Sequence, residues 1–242
     1  MKVLSDERAR LEGIAAKSLY AAGVNADTVR YSFRIFERYL RGDSILEMGP
    51  AEGVMTALLA KTGKTLTVVE GSSAFCEALS ARFPTAQVVQ SLFEDFAPDR
   101  RFDNIVLGHV LEHVEDPIRI VRDAGTWLAP GGRILAAVPN SRSLHRQAAV
   151  LMGLLLAEDA LNELDLHHGH RRVFNPESFR HCFIAAGLDV EIFGGYWLKP
   201  VSNRQIEHDW TPDMLAAYMR LGERYPDIAA EIYVIAGHRQ ER

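Results

Sequence analysis

Four groups of residues in this chain have the types and spacings that do chemistry. The first is the turn in Ser44-Ile-Leu-Glu-Met-Gly-Pro-Ala-Glu-Gly-Val-Met55. An apolar strand entering a glycine turn at a helix start presents free backbone N–H groups and the positive end of a helix dipole. That suits an anion, either phosphate or carboxylate. The second is Glu70, which ends Thr65-Leu-Thr-Val-Val-Glu70. A carboxylate about 20 residues past such a turn accepts from both hydroxyls of a ribose. The third is Ser91-Leu92-Phe93, just past the run Ala86-Gln-Val-Val89. Its apolar side chains could flank a nucleobase, with Ser91 or backbone N–H groups reading the edge. The fourth is histidine. His109 and His113 lie in Gly108-His-Val-Leu-Glu-His113, and His167, His168 and His170 lie in Leu166-His-His-Gly-His-Arg-Arg172. Imidazole is the natural base near neutral pH. Arg171 or Arg172 beside it would suit an acceptor carrying a carboxylate or phosphate.

The glycine turn is selective in what it omits. A dinucleotide fingerprint needs G-x-G-x-x-G. Here Gly49 is followed by Ala51 and then Val54 at the two later positions. No Gly-Lys-Ser/Thr follows, so the phosphate P-loop is absent. What remains is Glu47-x-Gly49-x-Ala51-x-Gly53, an E-x-G-x-G-x-G pattern with one glycine replaced.

The elements that must position these residues alternate. A helix is predicted over about 4–22, and a second, capped by Asn25 or Asp27, runs to about Leu40. Strands then follow at ILEM, TLTVVE, AQVV, FDNIVLG and RILAAVP. Helices intervene at Val54–Lys61, at Ser72–Arg82 with Ser72 as cap, and from Asp116-Pro117 to Leu128. Pro130-Gly131-Gly132 reads as a turn. Short, unalternating apolar strands separated by helices predict a mostly parallel sheet covered on both faces. Residues 141–172 hold an apolar helical piece and then the histidine-rich segment. Asn175-Pro176-Glu177 opens another helix, ended by Gly187. Residues 188–197 and 229–238 read as strands around a helix at 211–224, and could form an antiparallel pair at a sheet edge.

Bulk properties exclude several classes. The chain has 242 residues, 48% hydrophobic and 24% charged, enough for one sizeable core. The formal net charge of -5 gives no basic stripe for nucleic acid or an anionic membrane. Cys76 and Cys182 sit amid apolar residues with no disulfide or metal spacing, which fits a reduced, cytoplasmic setting and no metal. The first 17 residues are charged and amphipathic, unlike a secretion signal.

In combination, ILEMGPAEG, TLTVVEGS, VVQSLFEDF, IVLGHVLEHVEDP and LAPGGRILAAVPN resemble the class I S-adenosylmethionine-dependent methyltransferases, in their small-molecule branch. The resemblance is strongest over residues 30–140. It implies a single α/β domain over 1–242, with a doubly wound, mostly parallel seven-stranded sheet, an antiparallel edge strand and a helical cap. Residues 1–40 would be cap helices, 41–140 the cofactor core, 141–174 a cap insertion, and 175–242 the C-terminal helices and strand pair. It also implies that Glu47, Gly49, Ala51 and Gly53 hold the methionine half of S-adenosylmethionine, with Glu47 facing its ammonium. Glu70 with Gly71 would take the ribose, Ser91, Leu92 and Phe93 the adenine, and Gly108 and His109 the path near the sulfonium. For the acceptor, His109 and His170 are candidate bases. Tyr31, His168, Arg171, Arg172, Tyr196 and Trp197 are candidate pocket residues, whereas Tyr20 on the first helix reads as packing. Residues 167–172 read equally as a solvated loop. The expected reaction is methyl transfer to oxygen or nitrogen of a small molecule, yielding S-adenosylhomocysteine, by a monomer or homodimer. Two alternatives compete: a dinucleotide-dependent oxidoreductase, disfavoured by the missing glycines, and a non-catalytic S-adenosylmethionine-binding module.

Overall fold

A computed structural model describes residues 2–19 and 21–239, with side chains from residue 7 onward. Tyr20 lies outside the described residues. Seven strands form one sheet in the order β3-β2-β1-β4-β5-β7-β6. They are β1 (Ser44–Met48), β2 (Thr65–Glu70), β3 (Gln87–Gln90), β4 (Phe102–Gly108), β5 (Leu128–Pro139), β6 (Asp189–Tyr196) and β7 (Glu231–Gly237). The helices are α1 (Lys2–Ala15), α2 (Gly23–Phe36), α3 (Val54–Leu59), α4 (Ser73–Arg82), α5 (Pro117–Thr126), α6 (Leu144–Leu151), α7 (Glu163–His168), α8 (Pro176–Ala185), α9 (Asn203–Asp209) and α10 (Pro212–Gly222). The chain divides into two compact units, residues 1–108 with 123–135, and residues 109–122 with 136–242.

In the first unit β1 pairs parallel with both β2 and β4, and β2 with β3. Ile45, Leu46, Val68, Val69, Ile105, Val106 and Leu107 are fully or almost fully buried, as strands covered on both faces require. β1 lies where the strand order reverses, so the turn after it opens at a topological switch point. Asp103 fixes the entry of β1: its carboxylate accepts from the backbone N–H groups of Asp43 (2.9 Å) and Ser44 (3.0 Å) and from the Ser44 hydroxyl (2.8 Å). Ser72 caps α4 through its hydroxyl and the Phe75 N–H, as its sequence position predicts.

In the second unit β6 and β7 pair antiparallel, from Asp189 opposite Gly237 to Tyr196 opposite Glu231. β7 is buried along its whole length. Asn175 closes a capping box at α8, with Pro176 in its first turn. Asn140 donates from its amide to the carbonyls of Asp227 (3.0 Å) and Ala229 (2.8 Å), fixing the segment that leads into β7.

Several element boundaries differ from expectation. α1 ends at Ala15 rather than near 22. α2 starts at Gly23 with no side-chain cap, because Asn25 lies inside it and its amide reaches back to the Leu19 carbonyl (3.3 Å). α2 stops at Phe36 and continues as one 3-10 turn, Glu37–Tyr39. β5 begins at Leu128 and runs through Pro130-Gly131-Gly132, Gly131 bending it at φ 75°. α9 has no counterpart in the sequence reading. It is short and polar, and Ser202 supplies its capping box.

Candidate active site

The turn after β1 is built on left-handed backbone. Gly49, Ala51 and Gly53 have φ of 67°, 48° and 75°. Glycine reaches that region freely and alanine does so at a steric cost. A side chain at Gly53 would also strike Leu79 Cδ2 at 2.7 Å. Ala51 thus holds the glycine conformation its motif position requires.

Around this turn the first unit gathers its polar groups. Glu47 is 2% exposed, and its Oε2 has no hydrogen-bond partner. Burial pushes its carboxyl up to about 8, with the Thr56 hydroxyl opposing the rise and the Glu70 charge adding to it. Glu70 is also buried and raised by desolvation, partly offset by backbone N–H groups of Ser72, Ala51 and Gly71. Its Oε1 accepts from Ser72 N at 2.8 Å. Ser91 N donates to the Glu70 carbonyl (2.9 Å), which sets the Ser91-Leu92-Phe93 corner beside the end of β2. Leu92 is buried and Phe93 partly exposed. A side chain at Gly71 would meet Leu11 Cδ1 at 2.4 Å and Leu92 Cδ2 at 3.3 Å, so α1 lies against this corner. Glu12 of α1 ties it there, accepting from Ser73 N (2.6 Å) and from the hydroxyls of Ser73 (2.9 Å) and Ser72 (3.0 Å). Gly108 ends β4 beside Met55, and Tyr31 is buried on α2 with Arg34 over its ring at 5.4 Å. An orphaned buried carboxylate oxygen, a left-handed backbone cradle and a second carboxyl at the next strand end fit an amino-acid-bearing nucleoside.

The second unit centres on His109. It follows Gly108 at φ 60°, a conformation costly for a non-glycine residue and common at functional sites. Its Nε2 lies 3.2 Å from the Tyr196 hydroxyl. Its Nδ1 lies 3.8 Å from Glu112 Oε1 and 3.7 Å from Glu231 Oε2. Burial, with some help from the His170 charge, lowers His109 to about 4, so the imidazole is neutral at pH 7. Burial raises Glu231 to about 8, with Lys199 opposing, and raises Glu112 well above the usual carboxyl range.

The histidine-rich run folds as the end of α7 and the turn beyond it. His170 Nδ1 approaches Asp165 Oδ1 at 3.3 Å, and its ring meets His113 edge-on at 4.7 Å. His168 is buried and depressed to about 4, chiefly by desolvation. Arg171 and Arg172 spend donors on backbone carbonyls. Arg171 Nε reaches His113 O (2.9 Å), and Arg172 reaches Leu111 (3.3 Å), Glu115 (2.9 Å) and Val114. They hold in place the turn that carries Glu112 and His113. One donor atom each from Glu112, His113 and His170 lies within 4.8 Å of the others, a set of the kind that ligates metals. Spacing gave no hint of it, because His170 comes from a separate segment.

Sequence reasoning missed Glu231 and Lys199. Glu231 had a signal: a lone carboxylate heading the wholly apolar run Ile232–Ala236. Lys199, in Trp-Leu-Lys-Pro, had none.

An α/β sheet with an anion turn at its switch point and carboxyls at successive strand ends defines a Rossmann-like methyltransferase. The methyltransferase domain family matches residues 20–191, and the chain belongs to that family. It is an S-adenosylmethionine-dependent methyltransferase. Among its relatives, the ubiquinone biosynthesis O-methyltransferase of Ralstonia nicotianae is 25% identical over 191 residues, covering 75% of this chain and 78% of that one. That of Aeromonas salmonicida is 28% identical over 174 residues, covering 68% and 71%. Among solved structures, the glycopeptide N-methyltransferase MtfA in complex with S-adenosylmethionine matches at TM-score 0.59 and 16% identity, over 86% of each chain. The N-methyltransferase NodS of Bradyrhizobium japonicum, in complex with S-adenosylhomocysteine, matches at 0.60 and 15%, over 92% of this chain and 91% of that one. No helix among the described residues is long and apolar enough to cross a membrane.

Proposed function

We propose that this enzyme methylates an oxygen atom of a small-molecule acceptor, with His109 as the base that takes the hydroxyl proton. The observation that carries the reading is the environment of His109: a buried neutral imidazole with Tyr196 on one nitrogen and two carboxyls facing the other. A hydroxyl needs a base, and a neutral imidazole provides one at pH 7. The names of the relatives, O-methyltransferases, favour oxygen over nitrogen.

When bound, S-adenosylmethionine supplies a methyl carbon activated by its sulfonium. Glu47 would accept from the ammonium of the cofactor, Glu70 from the ribose hydroxyls, and Leu92 with Phe93 would flank the adenine. Glu112 and Glu231, both held towards the protonated form by burial, face the Nδ1 side of His109, and Tyr196 orients the ring from Nε2. His170, with His113, orders the neighbouring turn, whereas Tyr31 and His168 are packing residues in this reading. The chain otherwise supplies positioning, holding reactants roughly 3–3.5 Å apart. The buried thiols of Cys76 and Cys182 fit a cytoplasmic setting.

His109→Ala should leave S-adenosylmethionine affinity within about twofold and lower kcat by about 10²-fold or more, the usual worth of a positioned base. Full turnover in that variant sinks the assignment. Turnover with amines and with no hydroxyl compound would instead place the acceptor atom at nitrogen.

A further inference from the structure

One strongly charged group has no role in the reading above. Lys199 follows β6 by three residues and is 9% exposed. Among the described residues its ammonium has neither a hydrogen-bond acceptor nor a carboxylate oxygen within 4.0 Å. Burying an ammonium costs several kcal/mol unless something pairs with it. Glu231 and Asp165 favour its charge from a distance, but neither closes on it. The nearest described partner is a ring face: Nζ lies 4.8 Å from the centre of the Trp197 ring.

Trp197 carries the second observation. It is 2% exposed, and its indole Nε1 has no acceptor. Its backbone is held in the left-handed region at φ 66°, a position unfavourable to so large a residue. The kink is locked on both sides. Trp197 N donates to Met219 O (3.0 Å), and Ala230 N donates to Trp197 O (2.8 Å). α10 approaches so closely that a side chain at Gly222 would meet Trp197 N at 2.2 Å. The fold therefore fixes a strained aromatic residue with two donors beside it, the Lys199 Nζ above its ring and its own buried Nε1 on the edge. Arg146 is not free to serve the same purpose. Its guanidinium is committed to Asp165 (3.1 Å), Glu158 O (2.7 Å) and Ala160 O.

We propose that Lys199 and Trp197 form the subsite that binds a carboxylate on the methyl acceptor. The two donors would share its two oxygens in charge-assisted and neutral hydrogen bonds respectively. A singly charged carboxylate fits better than a phosphate, because the site offers one ammonium and one neutral N–H, two donors that match two oxygens and a single positive charge. Tyr196, which contacts His109, ends β6 immediately before Trp197, so one residue links the subsite to the proposed base. The inference rests on the oxygen-acceptor reading only for what the bound molecule then undergoes.

The test is calorimetric titration of the full chain, loaded with S-adenosylhomocysteine, by salicylate and by its uncharged twin salicylamide. Salicylate should bind at least ~10-fold tighter, as one charge-assisted hydrogen bond implies. Lys199→Met should erase that preference. Trp197→Phe, which keeps the ring and loses the N–H, should reduce it severalfold, and serves if Lys199→Met fails to fold. In two-dimensional 15N–1H spectra, salicylate should also shift the indole signal that Trp197→Phe removes. Equal affinities in the wild type, or a preference unchanged in either variant, overturns the subsite. If the preference holds but neither compound nor any related phenol is methylated, the oxygen-acceptor reading falls and the subsite stands.

Discussion

At the scale of single residues, the first unit shows how a motif tolerates a substitution. Ala51 stands at a glycine position and adopts glycine's backbone, φ 48°. Left-handed backbone costs an L-residue roughly 1–2 kcal/mol, and the extra unfolded-state freedom of glycine cancels part of the gain from removing the side chain. Ala51→Gly should therefore raise thermal stability by about 1 kcal/mol, or about 2–4 °C. A lower melting temperature would show that the methyl group packs against something it needs. Glu47 makes the complementary case in charge. Its carboxyl titrates near 8 in the fold and near 4.5 when unfolded, so the native state holds a proton the unfolded state has lost. Its contribution to stability is undiminished below about 4.5, falls as pH rises from there to about 8, and changes no further above that. Melting curves of Glu47→Gln should therefore gain on the wild type between pH 5 and 8, whereas parallel curves would mean the carboxyl is ionised throughout. The same orphaned oxygen that penalises the empty fold suits a bound ammonium.

At the scale of elements, the decisive pieces are strand ends and what fixes them. β7 carries Glu231 at its first position, and Asn140 sets the segment that leads into it. Asn140 is 1% exposed and also accepts from Arg142 N at 3.0 Å. Asn140→Ala would leave the buried Ala229 carbonyl, and the more accessible Asp227 carbonyl and Arg142 N–H, without their partner, at about 2–3 kcal/mol in total. The expected fall in melting temperature is about 5–10 °C, with turnover falling further because Glu231 loses its register. A stable variant with unimpaired turnover would mean that the β7 entry holds itself. The arginines after α7 belong to the same scale. From the sequence, Arg171 and Arg172 suited an anionic acceptor. In the fold their donors satisfy carbonyls of residues 111–115, because a turn carrying a buried carboxyl has few other ways to saturate its backbone.

At the scale of the whole molecule, cofactor binding and stability are linked. A ligand that binds only the native chain stabilises it by about 2.7 kcal/mol at 100 times its dissociation constant. S-adenosylhomocysteine at that excess should raise the melting temperature by roughly 5–10 °C, and NAD at the same concentration should not. The reverse pattern would restore the oxidoreductase alternative. The alternation of apolar strands and helices fixed the sheet class, and the left-handed turn proposed for the cofactor was legible for the same reason. Glu47, Gly49, Ala51 and Gly53 lie within one strand–turn–helix, where local backbone rules operate over a few residues. Glu70 and Ser91 were legible because each ends the next strand of a parallel sheet, whose order the periodicity already implied. The proposed acceptor side was legible only in part. His109 and Tyr196 could be singled out by residue type, but Lys199 and Glu231 could not, and no spacing brings His109, the Tyr196–Lys199 segment and Glu231 together. Sequence alone determined the alternation of the main strands and helices and pointed to the turn proposed to grip a nucleoside, since both follow from hydrophobic period and turn chemistry. Tertiary structure alone decided that His109 is a buried neutral imidazole flanked by two carboxyls and that Lys199 Nζ lies over the ring of Trp197. Those states depend on burial and on distances across the fold, which no local pattern encodes.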